Sequence, residues 1–105
     1  MKFYLKNRNG RYDAVGEYDE VTHMFTVLKD SRVSDFVSNS DKFRGIKTIL
    51  TVREANVDRN GIVLNDVVFK SPSTAANFVT GTSTNGRKAW RDEYKRTFKD
   101  VVGGE

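Results

Sequence analysis

Apolar and polar residues alternate through the first third of the chain. Phe3, Tyr4 and Leu5 form a short opening strand, and Asn9-Gly10 reads as a tight hairpin turn. Tyr12, Ala14, Gly16 and Tyr18 then fall at alternate positions, which predicts a second strand over 12–18. Val21 to Met24 reads as a turn. Phe25, Val27 and Lys29 alternate with Thr26 and Leu28, giving a third strand over 24–31. Segments this short and this close in sequence pair antiparallel and leave one face for helices to cover.

The period changes after Ser38-Asn39-Ser40-Asp41, whose side-chain oxygens suit helix capping. Phe43, Ile46 and Leu50 recur at helical spacing, predicting a helix over about 41–55 with those three on the buried face. Lys42, Arg44, Lys47 and Arg53 fall on the other side, as a solvated face or as an extension of the basic surface. Asp58-Arg59-Asn60-Gly61 ends the helix in a turn. Ile62 to Leu64 and Val67 to Phe69 are apolar and β-branched, and read as a short hairpin turning at Asn65-Asp66.

Ser71-Pro72 opens a second helix, with Ser71 as N-cap and Pro72 at the first helical position, where its missing N–H costs nothing. Ala75 and Ala76 are small enough for close approach to a neighbour. Gly81 supplies the left-handed residue that closes the helix. Asn85-Gly86 turns the chain toward Trp90, the only tryptophan, which reads as a core anchor needing a partner for its indole N–H. Thr97 with Asp100 resembles a capping pair for a last short helix over 98–102, ended by Gly103-Gly104. The expected fold class is α+β: a small antiparallel sheet, made of an N-terminal meander and a short later hairpin, packed against three or so helices. No repeat or linker divides the chain, so 1–105 is expected to be a single accessory domain.

Charge adds what the pattern does not show. The formal net charge is +4, from 18 basic and 14 acidic residues. Between Asn85 and Lys99 lie Arg87, Lys88, Arg91, Lys95, Arg96 and Lys99 against only Asp92 and Glu93, so the rest of the chain sums to zero. Clustered positive charge is the footprint of a polyanion partner. There is no cysteine, and the lone histidine, His23, cannot build a zinc centre by itself. No apolar run approaches the ~20 residues needed to span a bilayer, and the first ten residues have no apolar signal-peptide core. The expectation is a reducing, cytoplasmic setting with no membrane partner.

Residues Phe69-Lys70-Ser71-Pro72-Ser73-Thr74-Ala75-Ala76, then Gly81, Asn85-Gly86, Trp90 and Thr97-Phe98, carry a further signal. Together with Phe3-Tyr4-Leu5-Lys6, Ala14-Val15-Gly16-Glu17-Tyr18 and the stretch 25–31, they resemble the domain-of-unknown-function 4357 family over almost the whole chain. Two positions depart from the family pattern. Arg87 stands where an aromatic usually follows Asn-Gly, which adds a positive charge and removes a stacking ring. Asp30 stands where a glycine is usual before Ser31, which implies a locally different turn. The resemblance implies a non-catalytic role near DNA, because such domains accompany GIY-YIG nuclease or restriction-type methylase modules and are similar to RAMA-type domains proposed to recognise modified DNA.

No catalytic constellation accompanies this. There is no Gly-rich phosphate loop, no G-x-S-x-G, and no calcium loop beyond the fragment Asp58-Arg59-Asn60-Gly61, which lacks the later glutamate. Carboxylate pairs such as Asp19-Glu20, Asp13-Glu17 and Asp92-Glu93 read as solvated. The chain is therefore expected to be no enzyme, with no cofactor and no metal. The leading expectation is duplex DNA binding: Arg87, Lys88, Arg91, Lys95 and Arg96 on phosphates, with Ser71 and Ser73 at the helix N-terminus holding another. Pro72, Ala75, Ala76, Gly81, Asn85, Gly86 and Trp90 form the structural motif beneath them. The alternative is a protein-interaction or dimerisation module tethering a catalytic partner through an exposed strip of Phe78, Val79 and Trp90. A third reading is capture of a planar ligand by Tyr4, Tyr12, Phe69, Trp90 or Tyr94.

Overall fold

The N-terminal alternation becomes two paired strands in the computed structural model, which describes residues 1–38 and 45–103. Strand β1 (Lys2–Lys6) buries Phe3 and Leu5 and exposes Lys2, Tyr4 and Lys6. Strand β2 (Asp13–Tyr18) pairs with it antiparallel, Leu5 opposite Ala14, and buries Ala14, Gly16 and Tyr18. Strand β3 (Phe25–Val27) pairs with β2, and β4 (Val67–Phe69) with β3, giving a four-stranded antiparallel sheet in the order β1-β2-β3-β4. Four helices complete the described elements: α1 (Ile46–Asn56), α2 (Pro72–Thr80), α3 (Gly86–Ala89) and α4 (Phe98–Val102). The class is α+β, as the pattern predicts.

The core lies between the sheet and the helices. Phe3, Phe25, Phe78, Val79 and Trp90 are fully buried, with Tyr18 and Phe98 nearly so. Aromatic rings dominate it. Phe25 and Trp90 lie with centroids 4.7 Å apart, and Tyr18 meets Phe98 edge-on at 4.9 Å. The ring of Phe25 lies over Gly16; a Cβ there would collide with the ring edge. The alternating strand position is glycine because an aromatic takes the space of its side chain.

The second helix follows its sequence signals closely. Ser71 Oγ accepts the Thr74 N–H at 3.1 Å, Pro72 is the first helical residue, and Gly81 has φ 77 with its N–H on Asn77 O at 2.9 Å. Ala75 and Ala76 are fully buried. Thr97 caps α4 through the Asp100 N–H at 3.2 Å. Asn85-Gly86 does more than turn the chain: Asn85 Oδ1 accepts the Arg87 N–H at 3.1 Å and so starts α3.

Several expectations are corrected. The third strand stops at Val27, because Ser31 N–H returns to Leu28 O at 3.2 Å in a turn through Asp30 at φ 74. Asp30 thus takes a left-handed backbone conformation, which aspartate is among the few side-chain-bearing residues to tolerate. The two later apolar segments do not pair with each other. Val67–Phe69 joins β3, while Ile62 and Val63 make single bridges to Arg32 and Val57. Asp66 accepts the Lys29 N–H at 2.8 Å and ties the intervening loop to the end of β3 instead.

Helix α1 starts at Ile46, after Gly45 at φ 80. The expected caps Asn39, Ser40 and Asp41, and positions Lys42, Phe43 and Arg44, lie outside the described residues. The buried face is also turned from the one the spacing suggests. Ile49 is 2 % exposed and Leu50 47 %, and Arg53 points inward rather than to solvent. What turns it is the C-terminal end of α2, whose last carbonyls have no partners within the helix. Arg53 Nε donates to Phe78 O at 2.9 Å, Nη1 to Ser34 O at 2.8 Å, and Nη2 to Val79 O at 3.3 Å and Ser34 Oγ at 3.2 Å. Ser34 adds its own N–H to Val79 O at 2.8 Å and its hydroxyl to Thr80 O at 2.7 Å. A cation at that end also meets the negative pole of the helix dipole.

Candidate nucleic-acid interface

The cationic segment leaves Trp90, whose anchorage fixes its start. Arg91 exchanges both backbone hydrogen bonds with Tyr4, at 2.6 and 3.0 Å, which seats the chain beside β1. Asp92 then organises a tight turn: its Oδ1 accepts the N–H groups of Tyr94 at 3.0 Å and Arg96 at 2.9 Å, and its carbonyl accepts that of Lys95 at 3.0 Å. Lys95 sits at φ 66 within this turn. Desolvation pushes the Asp92 carboxyl up, but those N–H groups and the Arg96 charge outweigh it and hold it below its ordinary value. Asp92 is therefore ionised and built into the loop.

This geometry divides the six cations. Arg96 is neutralised: its Nη2 lies 2.7 Å and its Nε 2.8 Å from Asp92 Oδ2, and its guanidinium covers the Tyr94 ring at 5.2 Å. Arg87 is half-buried and turned to the Gly103 carbonyl. Arg91 donates to Lys95 O at 2.9 Å. Lys88, Arg91, Lys95 and Lys99 are exposed, and none forms an ion pair among the described residues. Arg91 and Lys95 share a hollow of about 490 Å³ with Lys6 and the half-exposed Tyr4; Asp13, Asp92 and Glu93 line it too. The cations thus gather in part, with carboxylates interleaved.

The serines expected to hold a phosphate have structural partners. Ser71 Oγ caps α2, and Ser73 Oγ accepts the Gly86 N–H at 3.0 Å, joining α2 to α3. The strip expected to meet a protein partner is absent as a surface: Phe78, Val79 and Trp90 are each 0 % exposed. Of the aromatics considered for a planar ligand, Phe69 and Trp90 are core, Tyr12 is half-buried, and Tyr4 and Tyr94 are exposed. No three His, Cys, Asp or Glu residues gather to hold a metal among the described residues, and none of the described helices is long and apolar enough to cross a membrane.

Another concavity lies elsewhere. A hollow of about 810 Å³ is lined by Arg11, Arg32, Arg53 and Arg59, with Asp35 and Asp58 the only carboxylates on it among the described residues. These arginines come from the β1–β2 turn, the segment after β3, α1 and the turn after α1. Nothing in the sequence marks them, because they are far apart in the part of the chain outside 85–99, whose charges sum to zero. The one local hint is Gly10 beside Arg11 and Gly61 beside Arg59-Asn60, left-handed turn residues at φ 68 and φ 81 that place both arginines on loop tips.

Comparison with known proteins adds one positive finding: the family model described as a domain of unknown function (DUF4357) matches residues 3–102. No curated protein and no solved structure matches the chain. A match of that extent, running from the first strand through the last helix, makes this chain a member of the domain-of-unknown-function 4357 family.

Proposed function

We propose that this chain is a non-catalytic accessory domain that binds duplex DNA and serves beside a nuclease or methylase module. The observation that carries the reading is the set of exposed cations Lys88, Arg91, Lys95 and Lys99, none in an ion pair among the described residues, two of which meet Lys6 around one hollow. The backbone pairing of Arg91 with Tyr4 mounts that cation on the sheet edge. Side chains held this way position a duplex through its phosphates without reading its sequence.

The test is duplex binding by fluorescence anisotropy at several salt concentrations, for the native chain and for Lys88→Glu/Arg91→Glu/Lys95→Glu. The native affinity should fall with a log–log slope of about −0.9 per neutralised phosphate. The triple variant should bind more weakly and with a shallower slope. Equal binding by both proteins, or binding by neither, ends the reading.

A further inference from the structure

The four-arginine hollow is charged in a way the fold by itself does not use. Arg53 has a structural task, yet it has no carboxylate within ion-pair distance among the described residues, and neither do Arg11, Arg32 or Arg59. Asp58, the nearer of the carboxylates to Arg59 in sequence, has its Oδ1 occupied by the N–H groups of Asn60 at 2.8 Å and Ile62 at 2.9 Å. Burial lowers the Arg53 pKa to about 10, with Asp35 opposing, so the guanidinium is still charged at neutral pH. Four of its five N–H groups are engaged by oxygens of the described residues, which among these leaves one on Nη1 for a further acceptor. Four guanidinium groups line the hollow against two carboxylates, so its lining carries a net positive charge that favours an anion.

The hollow also has a direction. A second depression of about 360 Å³ shares Arg11, Ser34, Asp35 and Phe36 with it and continues to Thr80, Thr82 and Thr84. Phe36 stands at the shared border with 57 % of its surface exposed. Its backbone is closely packed: its carbonyl lies 2.8 Å from Ser34 Oγ, whose single proton it shares with Thr80 O, and so near Gly81 that a Cβ there would collide with it. A large, exposed ring on the wall of a hollow lined by four arginines presents a face for stacking next to sites for phosphate.

From this geometry we infer that the Arg11–Arg32–Arg59 trough binds an unpaired segment of nucleic acid, with phosphates on the arginines and one base stacked on Phe36. A duplex does not fit this description, since the faces of its bases are hidden within the stack; an unpaired base offers its face to any aromatic. Guanidinium suits the phosphate by its fork of donors, and the hollow is of the size that accepts a nucleotide. The inference rests on the nucleic-acid reading above and adds a second site, on a different set of residues, with a different strand state as its ligand.

Three labelled probes separate the two sites: a single-stranded oligonucleotide, a blunt duplex of the same length, and that duplex with a single-stranded overhang. Phe36→Ala should weaken binding of the single strand and the overhang by roughly 5- to 150-fold, the range for removing one aromatic–base stack, and leave the blunt duplex unchanged. Arg11→Ala/Arg59→Ala should reduce the magnitude of the single-strand salt slope by about 0.7 for each phosphate no longer neutralised. Far-UV circular dichroism and the emission of Trp90 check that each variant is folded. Should Phe36→Ala fail that check, Phe36→Leu keeps an apolar side chain without the ring and should show the same loss. If single-strand binding is unaffected by both the ring and the arginine variants while the blunt duplex still binds, the trough is overturned and the duplex reading stands. If the native chain binds no probe, both fall.

Discussion

The indole N–H of Trp90 donates to the carbonyl of Pro72 at 2.9 Å, joining the first residue of α2 to the residue that ends α3. The same carbonyl is the atom that a Cβ on Gly86 would strike. Pro72, Gly86 and Trp90 therefore form one junction: a small residue lets α3 approach α2, and the tryptophan fastens it. The cationic loop begins at the next residue, so the junction also sets where Arg91 points.

Trp90→Phe should keep the ring in the aromatic core and lose the hydrogen bond, costing about 1–3 kcal/mol for the buried polar group left without its partner. Urea unfolding followed by circular dichroism reads this as a lower midpoint at unchanged slope. An unchanged midpoint would mean that the indole N–H contributes nothing to the junction.

Gly86→Ala and Gly10→Ala separate crowding from backbone strain. Gly86 faces Pro72 backbone that cannot yield, so its alanine variant should lose about 1–3 kcal/mol, as overpacked interiors do. Gly10 has open space around it and only φ 68 to maintain, so its variant should lose about 1 kcal/mol. Thermal unfolding that ranks Gly10→Ala as the more damaging would contradict the close α2–α3 approach.

Arg53→Leu should cost at least about 2 kcal/mol, because it removes a charged donor from the Phe78, Val79 and Ser34 carbonyls. Arg53→Lys should recover only part of this, since one ammonium cannot span those three oxygens as the guanidinium fork does. The lone tryptophan reports unfolding in both variants. Full rescue by lysine would show that charge, and not the fork, caps the helix.

Acid should weaken the fold through Asp19 and Asp92. The Asp19 carboxyl is held below its ordinary value of 3.8 chiefly by the N–H groups of Val21 and Thr22. Desolvation raises Asp92, yet its Arg96 and Tyr94 bonds hold it below the same value. A lowered folded pKa means that the unfolded chain binds more protons in that range, so stability rises with pH there. The contribution is complete above 3.8 and is lost as pH falls through the folded values. Denaturation between about pH 2 and 5 should therefore show a flatter acid limb in Asp19→Asn/Asp92→Asn than in the native chain.

What could be read in the chain is what depends on neighbours in sequence. Ser71-Pro72 and Gly81 bound α2 because capping and left-handed closure are settled within a few residues. Asp13–Tyr18 alternates because a strand has two faces, and Thr97 caps α4 through the residue three positions on. Trp90 is the core anchor its size suggests. The basic segment was visible as a run of letters, and so was the family resemblance.

Only the folded chain decided the rest. Leu50 and Arg53 exchange the places that helical spacing assigns them, because the open carbonyls of α2 attract a donor more strongly than the core needs another leucine. Val67–Phe69 leaves its sequence neighbour for β3, and Arg96 is neutralised by Asp92 across the turn that Asp92 itself closes. Arg11, Arg32, Arg53 and Arg59 become one surface although they never meet along the chain. Local order needs only short-range hydrogen bonds and backbone preference, which sequence encodes directly. Where distant charges and carbonyls come to lie is set by long-range packing, and that exists only once the sheet and helices have closed on each other.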